Sequence, residues 1–411
     1  MTRSRPGSRR HVLVTDASRG SAVAFIRSLG RRGWRVTAAD SDPRSPGFRS
    51  RWTTDRLVYP DPVERTEAAV EALARAVRRS AVDLLVPITD EIGLPLAASR
   101  DRFDGLTRLA LPEPEALEIA RDKRRTLDVA VRLGVPVPST CLVESVEGAV
   151  QAARRLGWPV VVKPQVSRQP RPDGTIDAFS VAYAGDEARL RALVADLEGR
   201  TGILLQRWRP GEGHGVELLV HEGRPLAAFQ HRRLREVPVT GGASALRESV
   251  ALDPTLFDYA SRLLGDLAWS GLAMVEFRLT PTGPELMEIN GRVWGSLPLA
   301  VRAGMDFPAR LADLMLEGPP SPSTPVASEY AIGVRVRNLR LELSWMGNVV
   351  TGRRRYPDLP FPSRWAALRA AGSLLDPRIG DDLLVREDPA PGLAQVGTIV
   401  RSIGGRGRHG R

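Results

Sequence analysis

The sequence has little cysteine, little lysine, few aromatics and no long apolar run. One cysteine, Cys141, among 411 residues excludes an internal disulfide framework and a cysteine-based metal cluster. No apolar stretch reaches the ~18 residues that a membrane span requires. The start, MTRSRPGSRR, is basic but leads into no apolar segment of the kind a secretory signal carries. A cytoplasmic protein with no membrane partner is the expectation. Aromatics at 5% leave little material for a base-stacking platform, which counts against nucleic-acid binding despite the net charge of +11. Arg3, Arg5, Arg9, Arg10, Arg406, Arg408 and Arg411 supply seven of those charges, from Gly/Ser/Pro-containing ends that read as disordered tails. The rest is spread without a basic face, so no specific nucleic-acid partner is expected. Of 59 basic residues only two are lysine, Lys123 and Lys163. Against an arginine-rich background, a surviving lysine marks a place for a compact ammonium where a planar guanidinium does not fit.

What is present suits two or three soluble domains, with 42% hydrophobic and 26% charged residues. Residues 11–17 (HVLVTDA) read as a buried strand, 20–32 as a helix, 35–40 as a second strand and 82–88 as another, with Thr89 and Asp90 placed to cap the next helix. Alternating strands and helices imply a parallel, doubly wound sheet over about the first 110 residues. Asp40 ends the second strand as a ribose-binding acid does, but the turn from Asp16 to Gly20 has one glycine where the dinucleotide fingerprint needs three. An NAD-dependent oxidoreductase therefore lacks its motif. Next come a helix over 115–133, ended by Gly134 and two prolines, a helix over 146–156, a strand over 159–163 and a helix over 186–197. Strands follow at 203–207 and 215–221. Beyond Gly318, Pro-rich joints separate short helices and the pattern assigns no role.

Two apolar-alternating runs, 272–279 and 285–290, are joined by Thr280-Pro281-Thr282-Gly283, which predicts a hairpin with a three-residue loop. That register sets Glu276 opposite Glu288, and period two adds Asn290 to the same face. Like charges directly opposite destabilise a hairpin, and a divalent cation reverses that sign, because Mg²⁺ favours carboxylate and amide oxygens together with phosphates. The flanks Val275, Phe277, Met287 and Ile289 predict a packed hairpin. Arg292, two residues on, is a fork suited to phosphate oxygens. Lys163 closes an apolar strand just before Pro164. Lys123 falls in the helical run Arg-Asp-Lys-Arg-Arg. The glycine-rich stretch 207–215 (RWRPGEGHG) reads as a hinge over a nucleotide base, with Gln206 and Glu212 near base and ribose. Between hinge and hairpin, His231 is a candidate base, and the Gly241-Gly242 pair with nearby arginines is a candidate anion site.

This order of features resembles the ATP-grasp superfamily, specifically its carboxylate–amine ligase-like members with a carbamoyl-phosphate-synthase-like ATP-binding core. The matching text is Asp122-Lys123, Val162-Lys163-Pro164, Gln206 with the hinge, Glu276-Phe277-Arg278 and Glu288-Ile289-Asn290-Gly291-Arg292, within about residues 10–318. The resemblance implies an α/β and α+β chain. It comprises a doubly wound pre-ATP-grasp domain (10–112), an ATP-grasp domain (113–318) with a lid at about 120–202 and a hairpin-bearing part at about 203–318, and a C-terminal region (319–411) ending in the basic tail. It also implies that Lys123, Lys163, Gln206 and Glu212 contact ATP. Glu276, Glu288 and Asn290 would hold Mg²⁺ or Mn²⁺, with Arg292 and Lys163 at the reacting phosphate. The implied activity is amide formation from small-molecule carboxylate and amine substrates through an acyl phosphate, and a homodimer is compatible with it. A non-catalytic, ATP-binding regulatory protein on the same fold is the alternative. The lid loop 165–176 departs from the pattern in being poor in glycine, leaving Ser167 or Arg168 to close it.

Overall fold

The computed structural model describes residues 9–239, 241–352 and 359–406. Strands β1 (His11–Val14), β2 (Arg35–Asp40), β3 (Asp55–Val58), β4 (Leu84–Val86) and β5 (Arg108–Leu109) form the expected parallel sheet, ordered β3-β2-β1-β4-β5. Its central strands β1 and β4 read as unbroken apolar runs because both faces are covered. Val12 and Val14 pack with α1 (Gly20–Arg31), whereas Leu13 packs with α2 (Thr66–Ser80) and α3 (Asp90–Ala98). Asp40 is not a free ribose acid. Its carboxylate accepts the N–H groups of Ser18 and Asp42 and the hydroxyl of Ser45, tying down its own loop. Thr89 stands at the start of α3 but does not cap it; its hydroxyl donates to Asp16 instead.

The single helix expected over 115–133 is two: α4 (Pro114–Arg121) and α5 (Lys123–Arg132). The break is Asp122, which leaves helical geometry (φ −90°, ψ 107°) and accepts the N–H groups of Arg124 and Arg125. An aspartate satisfies such orphan donors better as an N-cap than it serves in a helix interior. Lys123 thereby becomes the first residue of a helix. Both helices pack on the later hairpin, through Ala116, Ala120, Val129 and Ala130 against Leu286 and Ile289.

The lid is a four-stranded antiparallel sheet, β10-β7-β11-β6, built from β6 (Thr140–Val143), β7 (Val160–Pro164), β10 (Ala182–Ala184) and β11 (Ile203–Arg207), with the hairpin β8 (Arg168–Pro170) and β9 (Ile176–Ala178) beside it. Its helices are α6 (Val146–Leu156) and α7 (Glu187–Leu197), which share one core with the sheet. This unit spans residues 140–207, where a lid at about 120–202 was expected. β11 pairs with both β6 and β7, and the segment before Thr140 finds its apolar partner elsewhere.

The remaining chain makes a seven-stranded sheet, ordered β16-β15-β12-β13-β14-β17-β18. Its strands are β12 (Glu212–His221), β13 (Arg224–Val237), β14 (Ala243–Val250), β15 (Gly271–Thr280), β16 (Gly283–Asn290), β17 (Arg335–Arg337) and β18 (Ile379–Asp381). Its helices are α8 (Pro254–Asp266), α9 (Leu297–Arg302), α10 (Phe307–Glu317), α11 (Leu339–Val350), α12 (Arg364–Ser373) and α13 (Ala390–Arg406). The region after Gly318 is therefore no separate appendage: β17 and β18 extend the main sheet. A strap after β18 binds helix α1 of the N-terminal domain, where buried Arg27 meets Asp388 at 2.9 Å and donates to the carbonyls of Asp382, Leu383 and Asp388. One apolar core runs without a break from Phe25 and Val86 to Phe229, Trp294 and Phe307. Of the expected basic tails, Arg9 and Arg10 are engaged, Arg9 with the Gly33 carbonyl and Arg10 with Glu317 at 2.9 Å. Arg406 falls within α13, while Arg3, Arg5, Arg408 and Arg411 lie outside the described residues. No helix among the described residues is long and apolar enough to cross a membrane.

Candidate functional site

The hairpin of β15 and β16 pairs Met274 with Asn290, Val275 with Ile289 and Glu276 with Glu288. Nearer the turn the register shifts by one, pairing Phe277 with Leu286 and Thr280 with Gly283. The turn is thus Pro281-Thr282 alone, one residue shorter than expected, and a bulge at Met287 takes up the difference. The two offsets cancel at Glu276 and Glu288. The bulge also moves Met287 out of the packed flank, so that it lines a cavity while Val275, Phe277, Leu286 and Ile289 stay in the core.

On the open face of this hairpin the Asn290 amide donates to Glu276 Oε1 at 3.0 Å and to Glu288 Oε1 at 3.3 Å. The three side chains therefore converge on one point. Arg233, from β13, lies 2.5 Å from Glu276. Lys123, 7% exposed, donates to Ser167 at 2.9 Å, and Lys163, 6% exposed, lines the cavity beside the carboxylates. Burial opposes the charge on Glu288, yet Lys123, Lys163, Arg233 and Arg292 hold its carboxyl below the ordinary range. Glu276 is pushed up by burial and by Glu288, against the pull of Arg233. Burial lowers both lysines, Lys163 to about 8, with Lys123 adding to the effect and Glu288 opposing it. Two close carboxylates whose ionisations are driven apart form a hard, oxygen-rich donor set, and with the Asn290 carbonyl they fit Mg²⁺ or Mn²⁺. Among the described residues no group of three or more His, Cys, Asp or Glu side chains is placed to hold a metal. The hairpin set has two carboxylates and an amide.

The cavity measures about 520 Å³. The hairpin, Lys163, Arg233 and Arg292 form one wall. The facing wall is the pair of loops leaving β1 and β4, represented by Arg19, Gly20, Ser21, Asp90 and Glu91. Strand order reverses between these two strands, and ligands bind outside the carboxyl ends at such a switch point. Arg292 reaches across to Asp90 at 3.0 Å, and Arg168 of the lid reaches Glu91 at 2.9 Å. Further lid contacts run from Ile176 N–H to the Val63 carbonyl and from Thr66 N–H to the Gly174 carbonyl. The glycine-poor loop is held down by these polar contacts, and both Ser167 and Arg168 take part.

A narrow slot joins the cavity at Lys163, Tyr183, Arg278 and Met287 and continues between Val161, Gln206 and Trp208. Gln206 lines this slot, its amide donating to Thr140 at 2.9 Å. Glu212 is not brought to cavity or slot. The turn before it is shorter than the expected hinge, so β12 already begins at Glu212, and period two puts Glu212 and His214 on the face opposite Gly215. Glu212 is bound there to His214 at 2.7 Å and lies 3.6 Å from Arg232. His231 lines the cavity but is fully buried, with Nδ1 3.0 Å from Glu217. The Gly241-Gly242 pair also lines the cavity, while Thr240 lies outside the described residues. Sequence reasoning missed Arg19, Asn338 and Asp382 and included Arg233 only among the arginines near the glycine pair; all four line the cavity. Only Arg233 left a signal, its place two residues past His231 on the same face of a strand.

A family model described as "ATP-grasp in the biosynthetic pathway with Ter operon" matches residues 200–340. The carbamoyl phosphate synthase large chain of Pyrobaculum aerophilum is 24% identical over 317 residues, covering 72% of this chain and 28% of that one. The phosphoribosylamine–glycine ligase of Caulobacter vibrioides is 29% identical over 259 residues, covering 54% and 58%. The chain thus spans about a quarter of the synthase large chain and little more than half of the ligase. Among solved structures, an ADP complex of an N5-carboxyaminoimidazole ribonucleotide synthetase superposes with a TM-score of 0.62 at 15% identity, over 91% of this chain and 98% of that one. A biotin carboxylase–ATP complex from Campylobacter jejuni gives 0.61 at 16%, over 80% and 74%. At such identities these structures show a shared fold.

Proposed function

We propose that the chain, which matches an ATP-grasp family model over residues 200–340, uses Mg²⁺-ATP to activate a small-molecule carboxylate and joins the acyl group to an amine. The observation that carries this reading is the convergence of Glu276, Glu288 and Asn290 beside Lys163 on one cavity wall. Relatives named as ligases and synthases on the same fold support it.

Glu276, Glu288 and Asn290 would hold Mg²⁺ or Mn²⁺, which when bound neutralises charge between the carboxylates and a triphosphate. Lys163 and Lys123 present desolvated ammonium groups, which bind phosphate oxygens more strongly than exposed ones do. Arg292, steadied by Asp90, offers a planar fork to the transferring phosphoryl group. The slot beside Gln206 and Trp208 would take the nucleotide base. The substrate carboxylate attacks the γ-phosphorus, ADP leaves, and the amine then displaces phosphate from the acyl phosphate. Positioning and charge neutralisation carry both steps.

Incubating the chain with Mg²⁺-ATP and panels of acids and amines tests the reading, with release of phosphate and ADP that depends on both substrates as the expected result. Nucleotide binding with no turnover for any pair would favour the non-catalytic alternative.

A further inference from the structure

Across the cavity from the hairpin lies a second charged corner that carboxylate activation leaves unused. Helix α1 begins there with Arg19 in the N-cap position, without a side-chain cap and without an acidic residue in its first turn. The first N–H groups of a helix have no acceptor within it, and with the helix dipole they favour an anion. Ser21 is 3% exposed, lines the cavity, and its hydroxyl engages no protein group among the described residues. Arg19 is exposed on the same wall.

The C-terminal strap brings a carboxylate to the same spot. A Cβ added at Gly20 would stand 2.9 Å from Asp382 Cβ and 3.4 Å from its Oδ2, so helix start and carboxylate are immediate neighbours. Asp382 is 3% exposed, ion-paired with Arg247, and accepts from the Asn338 amide at 3.1 Å. A carboxylate accepts about four hydrogens, so two partners leave it capacity for a further donor. Burial lifts its pKa to about 6 although Arg247 opposes this, so another cation beside it would stabilise the ion. An anion-seeking helix start next to a cation-seeking carboxylate matches one common chemical group: an ammonium and a carboxylate carried on the same carbon.

We propose that this corner binds the head group of a free α-amino acid, with Asp382 taking the ammonium and the start of α1, Ser21 and Arg19 taking the carboxylate. The proposal rests on the ligase reading and names the class of its amine substrate. The region after Gly318 then has a function, since it delivers Asp382 and Asn338 to the site.

The test is a thermal-shift titration of the full chain, with and without Mg²⁺-ADP. The probes are the twenty proteinogenic amino acids, each beside its decarboxylated amine and its deaminated acid. At least one amino acid is expected to raise Tm where neither stripped counterpart does. Arg19→Asp places a capping carboxylate at the helix start, so the free protein keeps or gains stability while amino-acid affinity falls by about tenfold or more. Asp382→Asn is expected to weaken binding similarly, and Mg²⁺-ADP still shifts both variants. The proposal is overturned if no amino acid shifts the protein, if a stripped amine or acid does as well as its parent, or if Arg19→Asp binds amino acids like wild type. Should Asp382→Asn not fold, Arg19→Asp decides alone. Loss of the Mg²⁺-ADP shift in the wild type would instead strike at the ligase reading.

Discussion

Glu288 and Asp382 line one cavity, and the chain positions them by opposite means. Glu288 is set by a hairpin whose two strands are adjacent in sequence, and four cations hold it ionised. Asp382 comes from the C-terminal strap to a partner 135 residues away, and burial drives its carboxyl upward. Local pairing gives a carboxylate built to meet a cation. The long-range strap gives a carboxylate whose setting depends on three separate segments of chain.

The sharpest way to break this contrast is to remove each side's anchor. Glu288→Ala is expected to lower kcat by about a thousandfold, or about 4 kcal/mol, through lost stabilisation at the reacting phosphate. Circular dichroism should show the fold retained, and a rate near wild type in phosphate-release kinetics would end the hairpin reading. Asp388→Ala acts on the other side, leaving Arg27 buried without its ion partner. About 3 kcal/mol of stability should be lost in urea unfolding, and a loss under about 1 kcal/mol would mean that the strap is incidental.

Proton linkage gives the next effect. Lys163 has a pKa of about 8 in the fold against an ordinary 10.5, so between these values the unfolded chain binds more protons than the folded one. Stability of the free protein should therefore rise with pH from about 8 to 10.5, and the relief is absent below about 8. Nucleotide binding has the opposite slope, because phosphates favour the ammonium form. Calorimetry should show affinity for Mg²⁺-ADP falling above pH 8 by up to about tenfold per unit, and a flat profile in Lys163→Met. A wild-type profile equally flat would remove Lys163 from the phosphate site. Smallest is Asp122→Ala, which uncaps α5 and should cost about 1 kcal/mol in urea unfolding, with weaker nucleotide binding because Lys123 is the next residue.

The same contrast explains what could be read from the chain. The parallel sheet was legible since strands buried on both faces are continuous apolar runs. The pairing of Glu276 with Glu288 was legible although the loop length was misjudged, because the bulge at Met287 compensated. Lys123 and Lys163 stood out by rarity and both proved buried near Glu288. The break at Asp122 was hidden in a run with full helical periodicity, where one capping side chain outweighed the pattern. Glu212 was read as part of a hinge, whereas β12 already begins there and period two turns it to the face opposite Gly215. Asp382, Asn338 and Arg19 carried no local sign at all, because their meeting depends on β17 and β18 joining a sheet begun more than a hundred residues earlier.

The bond between Arg27 and Asp388 spans 361 residues. A chain made from its N-terminus exposes Arg27 361 residues before Asp388, so helix α1 waits through that stretch of synthesis for its buried cation's partner. Contacts of such separation form late and slowly. The cavity residues from Lys163 to Arg292 are made well before the strap arrives, and the order in which the chain is made becomes the order in which the two parts of the cavity come into being.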